Sequence, residues 1–135
     1  MPFHLTFAQK SHYDSQSSGI SVEVTLQRGS ETAITAAKID TGAQFCLFAR
    51  QIGEDLEINI ETGWRIELQT LVGSLVAYGH EVTLEVLGLT FSTVVYFAED
   101  EYMKRNLLGR QGWLQLVKLA IIDYNSEIYL SPYNE

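Results

Sequence analysis

The sequence predicts an all-β fold of one domain, made mainly of strands with one or two short helices. Several short segments alternate apolar and polar residues, most clearly Ile20–Leu26, which is the pattern of a half-buried strand. Turn residues separate these segments at short intervals, as they do in sandwiches and barrels. A chain of 135 residues with 46% hydrophobic residues can bury one core but not two. We therefore expect a β-sandwich or β-barrel.

The N-terminal part of the chain contains an extension followed by a predicted hairpin. Residues 1–19 combine a short alternating start with a polar stretch rich in Ser and Gln. We interpret them as a terminal strand at Phe3–Phe7 and a linker, with the folded domain over residues 20–135. The first strand of that domain leads through a turn at Arg28–Ser30 into a second strand, Thr32–Ile39, so the two should pair antiparallel.

The middle of the chain contains the predicted helix and a second hairpin. The run Cys46–Phe48 is too continuously apolar to have a solvent face. Ala49–Leu56 carries apolar residues on one helical face, with Gly53 as a weak point. Trp64–Leu87 is predicted to form two strands around a tip near Leu71–Ser74.

The C-terminal third is predicted to contain three strands and a short helix. Phe91–Phe97 is rich in β-branched and aromatic residues, which favour strands. Gly109–Leu116 is interpreted as a short helix. Val117–Ile122 and Glu127–Leu130 are expected to pair across a turn at Asp123–Ser126.

Several single residues have ordinary structural explanations. Trp64 and Trp113 are expected to anchor the core, although Trp64 could instead flank the base of the hairpin that begins there. Cys46 is expected to be a small buried hydrophobe rather than a redox switch. One cysteine rules out an internal disulfide and agrees with a reducing compartment. The three histidines share no metal-ligand spacing, so we expect neither a metal nor another cofactor.

Composition and charge exclude some classes of function. The formal net charge is −8, and the densest positive groups are Lys104-Arg105 and Arg110. Nucleic-acid binding depends on clustered Lys and Arg, so nucleic acid is not an expected partner. A strongly acidic peptide should be repelled at neutral pH. No apolar run reaches the length of a membrane helix and residues 1–19 contain no signal-peptide core, so we expect a cytoplasmic protein without a membrane partner.

Two motifs carry the chemistry. Asp40-Thr41-Gly42-Ala43 lies between two strand-like segments, although strand interiors disfavour Asp and Gly. Late in the chain follows Asn106-Leu107-Leu108-Gly109-Arg110. In this order and context the chain resembles the retropepsin-like (retroviral-type) aspartic protease family from about residue 20 to residue 130. The alternative for the first motif alone is an ordinary Asx turn.

The resemblance implies a closed-barrel acid-protease fold and an aspartic endopeptidase. Hydrolysis in this family needs two carboxylates that share one proton, and no other aspartate here is followed by Thr-Gly or Ser-Gly. The second carboxylate must then come from Asp40 of another copy, which implies a homodimer with a peptide or protein substrate. By the same resemblance, the other residues of the two motifs and of a flap acquire roles. These are Thr41 bonding across the dimer axis, Gly42 and Ala43 beside the substrate, Leu107, Leu108, Gly109 and Arg110 behind the loop, and Leu71, Val72, Gly73 and Ser74 in the flap.

Departures from the family leave alternatives open. Relatives often carry Asp where this chain has Gln44, so Arg110 lacks its usual partner, and the flap tip is poor in glycine. Apolar pockets are expected to favour hydrophobic peptides; their residues would be Ala43, Val72, Leu75, Val94 and Leu107. The alternatives are a catalytically silent binding or dimerisation module with this fold, and an enzyme that processes only its own precursor.

Overall fold

The computed structural model describes residues 1–135 and contains two β-sheets, one α-helix and three 3-10 helices. No helix is long and apolar enough to cross a membrane. The strands are β1 Gln9–His12, β2 Ser21–Arg28, β3 Glu31–Ile39, β4 Leu47–Phe48, β5 Trp64–Thr70, β6 Gly73–Val86, β7 Leu89–Ala98, β8 Leu107–Leu108, β9 Val117–Ile122 and β10 Glu127–Pro132. The helix α1 spans Arg50–Asp55, and the 3-10 helices span Ile60–Thr62, Leu114–Leu116 and Asp123–Asn125.

The larger sheet closes into a barrel. Its strand order is β2-β3-β8-β4-β7-β6-β5, and β2 also pairs antiparallel with β6, for example at Leu26 and Leu84. That second pairing joins the two ends of the series, so β5 alone extends beyond the ring. Closure removes unpaired strand edges. The prediction of an all-β protein is confirmed, and its architecture is a barrel.

The core fills the barrel as the alternation in the sequence requires. On β2, Val22, Val24 and Leu26 are buried while Glu23 between them is exposed. Trp113 is fully buried, as predicted from its size. Cys46–Phe48 is also buried, which confirms that this run has no solvent face.

The predicted helix and both hairpins are present. The helix α1 lies within the predicted range, and Gly53 in it is buried. A Cβ at Gly53 would lie 3.0 Å from the Phe97 ring, so the glycine admits close packing between α1 and β7. The strands β2 and β3 pair from Ser21↔Lys38 to Arg28↔Glu31 around the expected turn. The second hairpin, β5 and β6, pairs from Trp64↔Gly79 to Thr70↔Gly73.

The smaller sheet has the order β1-β10-β9 and is antiparallel throughout. The predicted pairing of β9 and β10 is confirmed, with the register Ile128↔Ile121. An ion pair joins Lys10 of β1 to Glu127 of β10 at 3.0 Å. The Tyr13 hydroxyl donates a hydrogen bond to Asp123 just after β1.

The position of the first strand differs from the prediction. Phe3–Phe7 forms no strand, and the N-terminal strand is Gln9–His12 in the polar part of the segment. Phe3 and Leu5 are exposed because they meet no apolar surface within the chain. Main-chain pairing with β10 determines the strand, and a bond from Ala8 N to Ser131 Oγ supports its start.

Two further predictions were wrong. Gly109–Leu116 is not one helix, because Gly112 adopts a φ of +103° and only Leu114–Leu116 forms a 3-10 turn. Trp64 is not a core anchor, since 63% of it is exposed at the start of β5. The backbone of Trp64 pairs with that of Gly79. A Cβ at Gly79 would lie 2.8 Å from the Tyr96 ring, so there is no space for a side chain at Gly79.

Candidate functional site

Asp40 lies at the end of β3, at the start of a tight loop. Its backbone N–H donates to Leu108 O at 3.0 Å, and its own carbonyl accepts from Ala43 N at 3.2 Å. Its Oδ1 accepts a hydrogen bond of 2.9 Å from Gly42 N. The other oxygen, Oδ2, has no partner within the chain. Asp40 is half-buried while Thr41 and Gly42 are exposed, so the loop orients one free carboxylate oxygen at the surface.

The second motif lies directly behind this loop. Strand β8 runs parallel to β3, with Lys38 opposite Leu107 and Ile39 opposite Leu108. A Cβ at Gly109 would collide with Phe45 O, and it would lie 2.9 Å from Ala43 O. Only glycine therefore allows the two backbones to approach so closely.

Backbone hydrogen bonds connect the two motifs. Arg110 N donates to Ala43 O at 2.9 Å, and Gln111 N donates to Gln44 O at 2.8 Å. The side chain of Arg110 is exposed and forms no ion pair. The structure thus brings the Asp40 loop together with residues 107–110, and it leaves the Arg110 guanidinium free on the same face.

Asn106 ties three segments together around the site. Its Oδ1 accepts from Ala49 N at 2.9 Å, while its Nδ2 donates to Thr35 Oγ1 at 3.0 Å and to Ala36 O at 3.1 Å. The sequence motif alone predicts no role for Asn106. A signal existed in its type, because an amide with donors and an acceptor stands immediately before two apolar residues.

Cys46 lies beneath the second motif. The prediction that it is buried is confirmed. Its Sγ accepts a long hydrogen bond of 3.4 Å from Gly109 N. Burial is the main reason that the pKa of this thiol is raised to about 11, so the thiol stays neutral at physiological pH.

Two open cavities border the Asp40 loop. The first, about 460 Å³, is lined by Ser21, Ala36, Lys38, Asp40, Lys104, Arg105, Asn106 and Leu107. The second, about 390 Å³, is lined by Thr41, Gly42, Gln44, Arg110, Gln111 and Gln115, none of them apolar. Asp40 is the only carboxylate in either lining. Of the five residues expected to form apolar pockets, only Leu107 lines one of these cavities.

The hairpin tip forms no hydrogen bond with the Asp40 loop. Leu71 and Val72 form the two-residue connection and are almost completely exposed. Gly73 and Ser74, which were predicted for the tip, begin β6 instead. Thr70 Oγ1 donates to Gly73 O at 2.7 Å and accepts from Val72 N at 3.3 Å, so the tip is held only by its own hairpin.

Comparison with known proteins addresses the fold. No protein-family model matches the chain, and no curated protein matches it. Among solved structures, it is similar to the EIAV protease in complex with the inhibitor HBY-793, with 16% sequence identity and a TM-score of 0.55. The likeness covers 70% of this chain and 85% of that chain. The predicted retropepsin-like fold is thereby confirmed.

Proposed function

We propose that this protein is a member of the retropepsin-like family and hydrolyses peptide bonds as an aspartic endopeptidase, active as a homodimer. The observation that carries the proposal is the Asp40 loop. One carboxylate oxygen is fixed by Gly42 N and the other is free, on a loop held from behind by Leu107–Gly109. A carboxylate placed in this way can hold and activate a water molecule.

One chain supplies only half of the required acid–base pair. Neither cavity that borders the loop contains a second carboxylate. The exposed outer face of the loop, Thr41 and Gly42, leaves room for a second loop related by two-fold symmetry, which would bring Asp40 of each copy together. The surrounding Gln44, Gln111 and Arg110 would then lie at the rim of this interface.

The chemistry follows from two close carboxyl groups. Like charges at short distance cannot both ionise, so one carboxyl keeps its proton. The ionised carboxyl takes a proton from the attacking water, while the protonated one donates to the carbonyl oxygen of the substrate. Because both states must coexist, cleavage should be fastest at acidic to mildly acidic pH and should fall as both groups ionise.

The hairpin of β5 and β6 supplies the mobile part of the proposed enzyme. Its exposed tip at Leu71 and Val72 is free to close over a bound peptide and exclude water. An extended peptide could add its backbone to the hairpin in the manner of an extra strand.

The decisive test is cleavage of a diverse peptide library between acidic and neutral pH. Wild type, Asp40→Asn and the control Asp55→Asn are compared. Asp55 is exposed on α1 and accepts a bond from Gln51, so its substitution matches the change in charge outside the site. We expect cuts with wild type and Asp55→Asn only.

Mixing experiments test whether the pair is shared between two chains. With equal amounts of wild type and Asp40→Asn exchanging freely, about one quarter of randomly formed dimers would hold two intact aspartates. The activity of the mixture should therefore fall well below half of that of pure wild type at the same total protein concentration. A fall to one half would mean that each chain acts alone. Identical cleavage by wild type and Asp40→Asn would favour the silent binding module.

A further inference from the structure

The larger cavity beside Asp40 is unusually basic for this protein. Lys38, Lys104 and Arg105 all line it, which is three of the nine Lys and Arg residues of a chain with a net charge of −8. They come from two separate segments, β3 and the stretch before β8, which the fold brings together at the mouth of the Asp40 loop.

These three cations lack carboxylate partners. Lys38 Nζ donates only to Ser18 Oγ at 3.1 Å, and neither Lys104 nor Arg105 forms an ion pair. Elsewhere, cations do find partners, as Lys10 does with Glu127 and Arg50 with Glu61. In a chain with 17 Asp and Glu, an unpaired basic group beside the reactive carboxylate is available to a ligand.

We infer that the cavity binds an anionic side chain of the substrate, so that the enzyme selects peptides with Asp or Glu close to the scissile bond. This inference rests on the proposed function. The cavity contains Asp40 itself, so a peptide positioned for hydrolysis passes its walls. The preferred substrate would then carry an acidic side chain, whereas the sequence predicts a preference for hydrophobic peptides.

The net negative charge does not prevent this selection. Charges separated by more than about 8 to 10 Å are largely screened at physiological ionic strength. The distant carboxylates therefore act weakly on a bound peptide, and within the cavity lining three cations outnumber the single carboxylate of Asp40. Long-range repulsion slows the approach at low salt, and local attraction determines which peptide is held.

The test uses one peptide that the wild type cleaves, with each position flanking the cut replaced in turn by Glu, Gln or Lys. The assay runs near pH 5.5, because a free Glu is then ionised. At low salt we expect the Glu peptide at the best position to exceed its Gln counterpart about three- to fivefold in kcat/KM, and the Lys peptide to be poorest. Raising the salt should shrink this ratio.

Variants assign the effect to the cavity. In Lys104→Gln/Arg105→Gln the ratio of Glu to Gln peptides should fall towards one, while cleavage of the Gln peptide persists. The control Arg28→Gln/Lys118→Gln removes the same charge outside the cavity and should keep the wild-type ratio. Circular dichroism of both variants verifies folding.

The outcomes separate the two proposals. Failure of the wild type to cleave any library peptide contradicts an endopeptidase that acts on separate peptides, and with it the proposed function. Cleavage with equal rates for Glu and Gln peptides at every flanking position overturns only the preference for acidic residues. A ratio that survives in Lys104→Gln/Arg105→Gln also overturns it, because the selectivity would then arise elsewhere.

Discussion

The Asp40 loop and the tip of the β5–β6 hairpin are held in opposite ways. The loop is fixed by backbone bonds to Leu108 and Arg110, and Gly109 packs against it. The tip at Leu71 and Val72 has hydrogen bonds only within its own hairpin and almost no buried surface. The loop that carries Asp40 is therefore held by many contacts, whereas the hairpin tip is a segment of low local contact density.

The largest effect should come from filling the contact behind the loop. In Gly109→Ala the added Cβ meets the Phe45 carbonyl group, which is backbone and cannot move without opening the loop. We expect a loss of more than about 4 kcal/mol in the free energy of unfolding, measured with urea. The control Gly29→Ala has open space but a φ of +60°, so it should lose only about 1 kcal/mol. Similar losses in both would refute the packing argument.

The next largest effect concerns the amide that ties the loop to its neighbours. Asn106→Ala removes three hydrogen bonds and leaves Ala49 N, in a buried residue, without its partner. We expect a loss of about 3 to 4 kcal/mol in unfolding free energy. Asn125→Ala is the matched control, because Asn125 is exposed and makes one long contact with Glu127. Its stability should stay within about 0.5 kcal/mol of wild type.

A smaller effect should appear only at alkaline pH. The pKa of Cys46 is raised from 9.0 to about 11 by burial, so the folded chain keeps a proton that the unfolded chain releases. The stability contribution is complete below pH 9 and is lost as pH rises towards 11, by about 2 to 3 kcal/mol. Cys46→Ala should lack this part of the loss. Parallel stability curves for the two proteins between pH 8 and pH 11 would contradict the assignment.

The smallest effect on stability should come from the tip. Leu71→Ser/Val72→Ser changes exposed side chains, so unfolding free energy should shift by less than about 0.5 kcal/mol. If the tip closes over substrate, KM should nevertheless rise about tenfold through lost apolar contact. Tyr124→Ser, at a similarly exposed apolar site outside the hairpin, should leave both quantities unchanged. An unchanged KM in the tip variant would remove the hairpin from the proposed site.

The fold was predictable where local pattern and tertiary burial agree. On β2 the alternating residues are those that the barrel buries, and the turn at Gly29 matches its positive φ. Prediction failed where main-chain pairing alone determines that a segment forms a strand. Gln9–His12 is such a segment, because its side chains are polar and give no alternating pattern. It failed again at Gly109–Leu116, where Gly112 has a positive φ and lies so close to β7 that an added Cβ would be 2.8 Å from Val94 O, an approach that the local sequence does not reveal.

The candidate site was predictable in its motifs and not in its surroundings. Asp40 and Gly109 each break a local strand preference, and such conflicts are expected at functional or strained positions, which made both residues candidates. The partners of Asn106 lie far apart in sequence, so its residue type indicates hydrogen bonding but no local pattern identifies the groups that it bonds. The basic cavity also could not be foreseen, since Lys38 and Lys104-Arg105 meet only when β3 and β8 pair.

The insertion of β8 beside β3 has a consequence for biosynthesis. Residues 38 and 39 pair with β2 and Ile20 on one side, but they acquire their neighbour on the other side only when residues 107 and 108 have been made, after the helix and both hairpins. Contacts so distant along the chain form late, because the intervening loop must first be closed at an entropic cost. A nascent chain that ends before Asn106 therefore carries Asp40 without the strand that holds it. The ribosome therefore finishes most of the barrel before the Asp40 carboxylate has a fixed place.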